Sequence, residues 1–155
     1  TKLDGENLAL ANNPKTIILR TAWVYSRFGN NFVKTMLRLF NDKDSISVVA
    51  DQIGSPTNAI DLANAILEIV SKDELVYGIY NYSNEGECSW FEFAQKIKEF
   101  SGSSIEINPV PTSAYPTKAK RPAYSLLDKS KIKEVYQLEI PTWEDSLKEE
   151  LKHLI

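Results

Sequence analysis

The sequence predicts an α/β fold in which helices and strands alternate along the whole chain. Apolar residues recur at helical spacing in some segments, whereas short apolar and β-branched runs stand between those segments. Such alternation is typical of proteins whose parallel strands are covered by helices. No internal repeat or low-complexity tract interrupts the pattern.

The first half of the chain contains three predicted helices and two predicted strands. A helix over residues 2–12 ends where two asparagines and a proline follow. The run TIILRTAWV, residues 16–24, has the composition of a strand that is buried on both faces. The next elements are a helix over 31–41, a strand over 45–49 and a helix that begins after Asn58.

The helix after Asn58 carries two local signals. Asp61 stands at its third position, so Asn58 and Asp61 resemble a capping box. An apolar stripe then repeats at the spacing of an amphipathic helix. Its members are Ile60, Ala63, Leu67 and Val70.

The second half continues the alternation. A strand is predicted over 77–82 and another over 105–110, and between them Ser89 and Glu92 form a capping box for a helix that ends at Gly102. Four prolines make residues 109–122 a stiff connection. Asp128 is predicted to cap a short helix with Ile132 and Val135, and Thr142 opens the last helix, with Leu147, Leu151 and Leu154 inward.

The composition excludes several classes of protein. Of 155 residues, 43% are hydrophobic and 25% are charged, which are values of an ordinary globular chain. A net charge of −3 without a basic run argues against a nucleic-acid partner, and no apolar stretch is long enough to span a membrane. Cys88 is the only cysteine and His153 the only histidine, which argues against a disulfide, a zinc site or a histidine triad. We therefore expect a cytoplasmic, soluble domain.

The sequence lacks the motifs that bind the phosphates of a nucleotide cofactor. Neither a G-x-G-x-x-G turn nor a P-loop occurs, and the 6 glycines are not clustered. The chain is therefore expected to be part of a dinucleotide enzyme rather than a complete one.

Five segments occur in an order that resembles a known family. They are LRTAWVY at 19–25, GNNF at 29–32, DQIGSPT at 51–57, Ser89-Trp90, and RPxxS at 121–125, all downstream of Lys2. The ordered set resembles the dTDP-4-dehydrorhamnose reductase family of the extended short-chain dehydrogenase/reductases, across essentially the whole chain. The resemblance implies that residues 1–155 are a C-terminal portion. It would combine the last elements of the Rossmann-type NAD(P)-binding domain with the smaller substrate-binding domain, and the N-terminal Rossmann half would be absent.

The resemblance also implies an activity. Family members reduce the 4-keto group of dTDP-4-dehydro-L-rhamnose to give dTDP-L-rhamnose, a nucleotide sugar for cell-surface polysaccharides such as lipopolysaccharide. The expected cofactor is NADPH, with NADH possible, and the expected partner is a dTDP-sugar. Mg²⁺ dependence and a homodimer remain open, because some members hold Mg²⁺ at a dimer interface through acidic residues near the C-terminus.

Lys2 is the catalytic residue that the resemblance implies. It would belong to a Tyr-x-x-x-Lys pair whose tyrosine lies four residues earlier, before Thr1, and this spacing puts both side chains on one helical face. Lys2 would hydrogen-bond the nicotinamide ribose and lower the pKa of that tyrosine, which protonates the sugar oxygen. Thr21 would contact the nicotinamide end of the cofactor.

The resemblance implies seven substrate-binding residues: Trp23, Asn31, Phe32, Gln52, Pro56, Thr57 and Arg121. Trp23 would pack against the substrate, Asn31 and Phe32 would offer a helix N-terminus to the diphosphate, and Gln52 would read the base. Arg121 would bind the diphosphate through its guanidinium fork. Each of three positions also has a structural explanation: Trp23 as a core residue, Asn31 as a plain N-cap, and residues 51–57 as an ordinary Gly-Ser-Pro turn. Lys118 and Lys120, beside Arg121, are expected to be solvated.

Other side chains are expected to be structural. Four aromatic residues, Trp90, Phe93, Phe100 and Trp143, fall on helical stripes and are predicted to be core. The acidic cluster Glu144, Asp145, Glu149 and Glu150 is predicted to be a solvated helix face rather than a metal site.

Two alternatives to the reductase are kept. One is a related enzyme that acts on another nucleotide sugar, as a 4-ketoreductase or a 4-epimerase. The other is a non-catalytic regulatory subunit of the same fold, similar to the beta subunit of methionine adenosyltransferase. Retention of Lys2, Trp23 and Arg121 favours an enzyme, because a scaffold has no need for that set.

Overall fold

A computed structural model describes residues 1–115, 119 and 121–155 of the protein. The predicted Pro116, Lys118 and Lys120 lie outside the described residues. The elements, in chain order, are α1 (Lys2–Asn12), β1 (Ile17–Arg20), β2 (Val24–Tyr25), α2 (Phe32–Asp42), β3 (Ser45–Val49), β4 (Ile53–Gly54), β5 (Thr57–Asn58), α3 (Ala59–Val70), β6 (Gly78–Asn81), β7 (Cys88–Ser89), α4 (Trp90–Ser101), β8 (Glu106–Val110), a 3₁₀ turn (Thr112–Ala114), α5 (Ser130–Tyr136) and α6 (Trp143–Leu151).

The predicted α/β alternation is confirmed, and the longer strands pair in parallel. Strand β1 pairs with β6, with Ile17 opposite Gly78, and β3 pairs with β8, with Ser45 opposite Glu106. The short strands β2 and β5 are also parallel, whereas β4 and β7 are antiparallel. Each long pair is joined through helices, as parallel strands require.

Two hydrophobic cores hold these elements together. The larger core lies among α2, α4, α6 and the β3–β8 pair, and it includes the fully buried Val33, Phe93, Ile97 and Leu147. The smaller core lies among α3, β6 and α5, around Ile69, Tyr80 and Ile132. No helix in the described part of the chain is long and apolar enough to cross a membrane.

Most helix ends follow the local signals in the sequence. The Ser89 hydroxyl accepts from the backbone N–H of Glu92 at 3.1 Å, and the Glu92 carboxylate accepts from the Ser89 N–H at 2.6 Å. Gly102 ends α4 in the left-handed region with φ 70°. Asn31 and Thr142 cap α2 and α6 through their side chains. The predicted caps at these three helices are confirmed.

The expected Asn58–Asp61 capping box is wrong. Asn58 does cap α3 by accepting from the N–H of Ile60 at 2.7 Å, but its own N–H donates to Asn84. Asp61 instead accepts from the Asn84 amide at 2.7 Å and from the Ser146 hydroxyl at 2.5 Å. A buried network contributed by distant segments therefore displaces the local bond.

The apolar stripe of α3 is exposed, and the buried residues of this helix are Ala65 and Ile69. Leu67 and Val70 are 63% and 59% exposed. Hydrophobic spacing alone did not identify the face of α3 that meets the smaller core.

The predicted connection over 109–122 is partly regular structure. Residues 109–110 end strand β8, and Thr112–Ala114 form the 3₁₀ turn. Proline has no N–H to donate, but among the described strands β8 pairs only with β3, so Pro109 is accommodated as in an edge strand. At α5, Asp128 accepts from the Ser130 N–H at 2.9 Å, although Lys129 occupies the N-cap position.

Candidate functional site

The single strand predicted over 16–24 is interrupted at its carboxyl end. Strand β1 ends at Arg20 and the chain resumes extended pairing at Val24, because Trp23 adopts a left-handed backbone with φ 50°. The Thr57 hydroxyl donates to the Ala22 carbonyl at 2.7 Å, and the Thr57 N–H donates to the Trp23 carbonyl at 3.2 Å. These bonds from β5 hold the segment in its bend.

Trp23 is held by aromatic and backbone contacts. Its ring stacks on Trp90 with centroids 3.6 Å apart and planes inclined by 14°. Gly54 leaves room for it, since a Cβ there would stand 2.8 Å from two atoms of the Trp23 indole. A left-handed bulky residue costs about 1–3 kcal/mol, and such residues persist where their surroundings fix them. Such positions are characteristic of ligand-binding sites.

A cavity of about 390 Å³ lies beside this aromatic pair. Three of the predicted substrate-binding residues line it together, namely Phe32 of α2, Gln52 before β4, and Arg121. The other lining residues are Thr35, Met36, Leu39, Ser47, Val48, Val49, Trp90 and Tyr115. Residues that are far apart in the sequence therefore meet at one concave surface.

The lining of the cavity combines apolar, aromatic and polar groups. Met36, Leu39 and Val48 come from the larger core and its edge, and Trp90 and Tyr115 add flat rings. Arg121 is exposed and supplies the positive charge. Such a lining suits a ligand with a flat ring and an anionic group, because guanidinium binds phosphate bidentately and apolar walls bury the ring.

Trp90 was expected to be core, and this prediction is only partly right. Phe93 and Trp143 are 0% and 3% exposed, as predicted. Trp90 is half-buried, contacts Phe32 with ring centroids 4.7 Å apart, and lines the cavity. It therefore connects Trp23 to the cavity, which Trp23 itself does not line.

Gln52 belongs to a hydrogen-bonded chain that the sequence did not reveal. Its amide nitrogen donates to the Thr112 hydroxyl at 3.0 Å, and that hydroxyl donates to Asp51 at 2.6 Å. The Thr112 backbone N–H also donates to both oxygens of Asp51, at 2.9 and 3.0 Å. Asp51 and Thr112 are 61 residues apart, so no local signal could predict this contact.

Four other predicted residues, Thr21, Asn31, Pro56 and Thr57, are not in the lining of the cavity. The Asn31 side chain accepts from the Lys34 N–H at 3.2 Å and donates to the Ser26 carbonyl at 2.6 Å, which is N-cap geometry. Pro56 and Thr57 are buried. Thr21 is exposed after β1 and its hydroxyl donates to that of Thr57 at 3.2 Å. Their roles in binding stay predictions.

Lys2 lies on α1, which buries none of its residues. The ion pair between Glu6 and Arg20, at 2.6 Å, joins this helix to β1. Lys2 is exposed and does not line the cavity. Its catalytic role stays a prediction.

The acidic residues of α6 are not all solvated, and the prediction for Glu150 is wrong. Glu150 is 2% exposed and accepts from the Arg27 guanidinium at 3.1 Å and from the Asn58 amide at 3.4 Å. Burial alone would raise the pKa of Glu150, but the bonds from Arg27 outweigh it and hold the pKa below its ordinary value. Among the described residues, no three His, Cys, Asp or Glu side chains are grouped to hold a metal ion.

A larger cavity, of about 820 Å³, lies between Glu85, Tyr124 and Lys129. None of the predicted site residues lines it. The smaller cavity is therefore the candidate site, since it gathers the groups whose chemistry the sequence singled out.

Comparison with known families identifies the family of the chain. The model of the RmlD substrate binding domain matches residues 1–155, the whole chain. The chain belongs to this family. The resemblance drawn from the ordered motifs is thereby confirmed.

Relatives of this RmlD-type domain include named reductases and proteins of solved structure. A dTDP-4-dehydrorhamnose reductase of Aggregatibacter actinomycetemcomitans is 42% identical over 96% of the chain and 54% of its own length. The structure of a dTDP-4-dehydrorhamnose reductase from Clostridium acetobutylicum matches with a TM-score of 0.93 at 42% identity, over 99% of this chain and 54% of its own. The structure of the reductase of Bacillus anthracis, solved in complex with NADP, has a TM-score of 0.92 at 40% identity. The match covers 99% of this chain and 54% of the B. anthracis chain. The RmlD-type domain thus spans about half the length of these relatives.

Proposed function

We propose that the protein to which this chain belongs reduces the 4-keto group of dTDP-4-dehydro-L-rhamnose with NADPH, to give dTDP-L-rhamnose. The observation that carries the proposal is the convergence of Phe32, Gln52 and Arg121 on one cavity. Relatives named as this reductase, at about 40% identity, support the choice of substrate. The B. anthracis relative in complex with NADP supports the choice of cofactor over NADH.

The cavity residues would bind and orient the nucleotide sugar. Arg121 would neutralise the diphosphate, Gln52 would hydrogen-bond the base, and Phe32 with the apolar wall would bury the base ring. Trp23, fixed by Trp90 and by Gly54, would pack against the sugar. Orientation by fixed groups lowers the entropic part of the barrier to reaction.

The chain also offers groups that fit the cofactor. Thr21 is exposed directly after β1, at the carboxyl end of a parallel strand pair, which is where α/β sheets bind ligands. Lys2 is exposed and would hydrogen-bond the ribose. When bound, NADPH would supply the hydride for the reduction of the keto group. Lys2 would also stabilise the ionised form of a tyrosine four residues before it, so that this tyrosine readily gives its proton to the sugar oxygen.

We further propose that residues 1–155 form the C-terminal portion of the whole protein. The chain spans about half the length of its relatives and contains no glycine-rich phosphate-binding turn. Exposed apolar residues on α1 and α3 support a further packing partner, which we assign to the N-terminal Rossmann half. They are Leu3, Leu8, Ile60, Ile66, Leu67 and Val70. We also propose a cytoplasmic location for the whole protein.

The proposal is tested by following NADPH oxidation by the intact protein with dTDP-4-dehydrorhamnose. Arg121→Gln should raise KM about tenfold or more, because a charge-assisted contact to phosphate is lost. Arg38→Gln is the matched control, since Arg38 is an exposed arginine of α2 outside the cavity, and it should leave KM unchanged.

Two results would contradict the proposal. Activity on another keto-sugar without turnover of dTDP-4-dehydrorhamnose would favour a related ketoreductase or epimerase. A residue other than tyrosine four positions before Lys2, together with absence of turnover, would favour the regulatory subunit.

A further inference from the structure

The amide of Gln52 can adopt only one orientation in its hydrogen-bonded chain. Asp51 accepts the Thr112 hydroxyl at 2.6 Å as well as two contacts from the Thr112 backbone N–H. Those bonds from Thr112 hold the pKa of Asp51 below its usual range, so this carboxylate is ionised at neutral pH and can only accept. The single hydroxyl proton of Thr112 is therefore committed to Asp51.

The committed proton decides which atom of Gln52 faces Thr112. A hydroxyl oxygen whose proton is already donated can only accept from a further partner. The Gln52 atom at 3.0 Å from it must then be the NH₂ group and not the carbonyl oxygen. The hydrogen-bonding pattern of Asp51, Thr112 and Gln52 thus fixes which end of the amide is the nitrogen.

The other end of the amide is left for the cavity. Gln52 is 7% exposed and lines the cavity, and its Oε1 has no hydrogen-bond partner among the residues that the structure describes. A carbonyl oxygen of a largely buried residue that has no protein partner is available to accept a hydrogen bond from a ligand in the cavity. The cavity therefore presents a fixed acceptor at this point.

We infer that Asp51 and Thr112 are positioning residues that hold the Gln52 amide with its oxygen toward the cavity, so that the site selects a pyrimidine whose ring N3 carries a hydrogen. The inference rests on the proposed function in one respect, namely that the cavity takes the base of a nucleotide. A base with a bare N3 would set a second acceptor against Oε1 at that position. Hydrogen-bonding sites of this kind reject the wrong analogue more strongly than apolar pockets do.

The experiment compares binding of dUDP and dCDP to the intact protein by calorimetry. The two nucleotides have nearly the same shape and differ only in the hydrogen-bonding pattern at positions 3 and 4 of the ring. The parent protein should bind dUDP about tenfold or more tightly than dCDP. Thr112→Val, which removes the hydroxyl at nearly constant volume, should bring the two affinities within about threefold, because the amide is then free to reverse.

Three companion variants separate positioning from loss of structure. Thr112→Ser keeps the hydroxyl and should restore the preference for dUDP. Asp51→Asn can donate to Thr112, so the hydroxyl proton is released toward Gln52 and the preference should fall or invert. Ser113→Ala, in the same 3₁₀ turn at an exposed position, is the control and should change nothing.

The outcomes distinguish the inference from the proposed function. A preference for dUDP that survives in a folded Thr112→Val protein would overturn the inference alone, as would a parent protein that prefers dCDP. Binding of neither nucleotide by the parent would overturn the proposed function, and the inference with it.

Discussion

At the scale of single residues, a tryptophan beside the candidate site has a backbone conformation that few tryptophans adopt. Trp23 has φ 50°, and its ring rests on Trp90 and close to the backbone of Gly54. Stacked aromatic pairs contribute about 0.5–1.5 kcal/mol beyond burial, which offsets part of the backbone strain. The absence of a side chain at position 54 is as necessary to this arrangement as the two rings are.

Gly54→Ala tests that dependence. The new Cβ would stand 2.8 Å from the Trp23 ring, so the ring must move and the stack with Trp90 must open. We expect a loss of about 1–3 kcal/mol in the free energy of unfolding, as in other overpacked cores, together with altered near-ultraviolet circular dichroism. Gly5→Ala is the control, because nothing lies within 4 Å of its Cβ in helix α1. Unchanged dichroism in the Gly54 variant would show that the ring is not held as described.

At the scale of elements, local signals and long-range contacts specify different parts of the fold. Helices α2, α4 and α6 begin where their capping residues predict, since a cap acts within one turn. The break after β1 and the role of Asp61 were not predictable, because they depend on Thr57, Asn84 and Ser146 from other segments.

The same distinction holds for the site. Phe32, Gln52 and Arg121 were identified through the order of motifs, and they do meet at one cavity. Thr112 and Tyr115 were missed, because neither carries a local signal and only the folded chain brings them to Gln52 and Arg121. Side chains that support a binding residue from a distant segment are invisible to spacing and composition.

The contact between α6 and the loop after β2 should make the stability of the fold depend on pH. Glu150 is buried against Arg27, and its pKa is lowered in the folded state. A lowered carboxyl pKa contributes stability that is present above the unfolded value of about 4.3 and is lost as pH falls through the folded value. Glu150→Gln should therefore destabilise the protein by about 2–3 kcal/mol at pH 7, with a difference that shrinks in acid.

Denaturant unfolding at several pH values measures this difference. Glu149→Gln is the matched control, since its side chain is 69% exposed on the neighbouring position of α6. A constant gap between the Glu150 variant and the parent from neutral to acid pH would contradict the assignment.

At the scale of the whole molecule, the two cores differ in how completely the surrounding elements enclose them. The larger core is enclosed by α2, α4, α6 and the β3–β8 pair. The smaller core lies beneath α3, whose outer face leaves Ile66, Leu67 and Val70 exposed at 42%, 63% and 59%. Contiguous apolar surface of this kind marks an interaction site.

The isolated chain of residues 1–155 is therefore expected to self-associate in sedimentation experiments. Leu67→Lys should reduce that association without a comparable change in unfolding free energy, because the side chain contacts solvent rather than core. Asn64→Lys adds the same charge to an exposed position of α3 and should reduce association less. A parent chain that stays monomeric at high concentration would refute the expectation.

The stacked pair of Trp23 and Trp90 gives the protein an intrinsic optical probe of its own site. Only three tryptophans are present, and the third, Trp143, is buried at 3% exposure in the larger core, away from the cavity lining. The emission of residues 1–155 is thus divided between the stacked pair, of which Trp90 lines the cavity, and the buried indole of Trp143. Within residues 1–155, a ligand in the cavity would change the emission of the stacked pair and leave that of Trp143 as an internal reference.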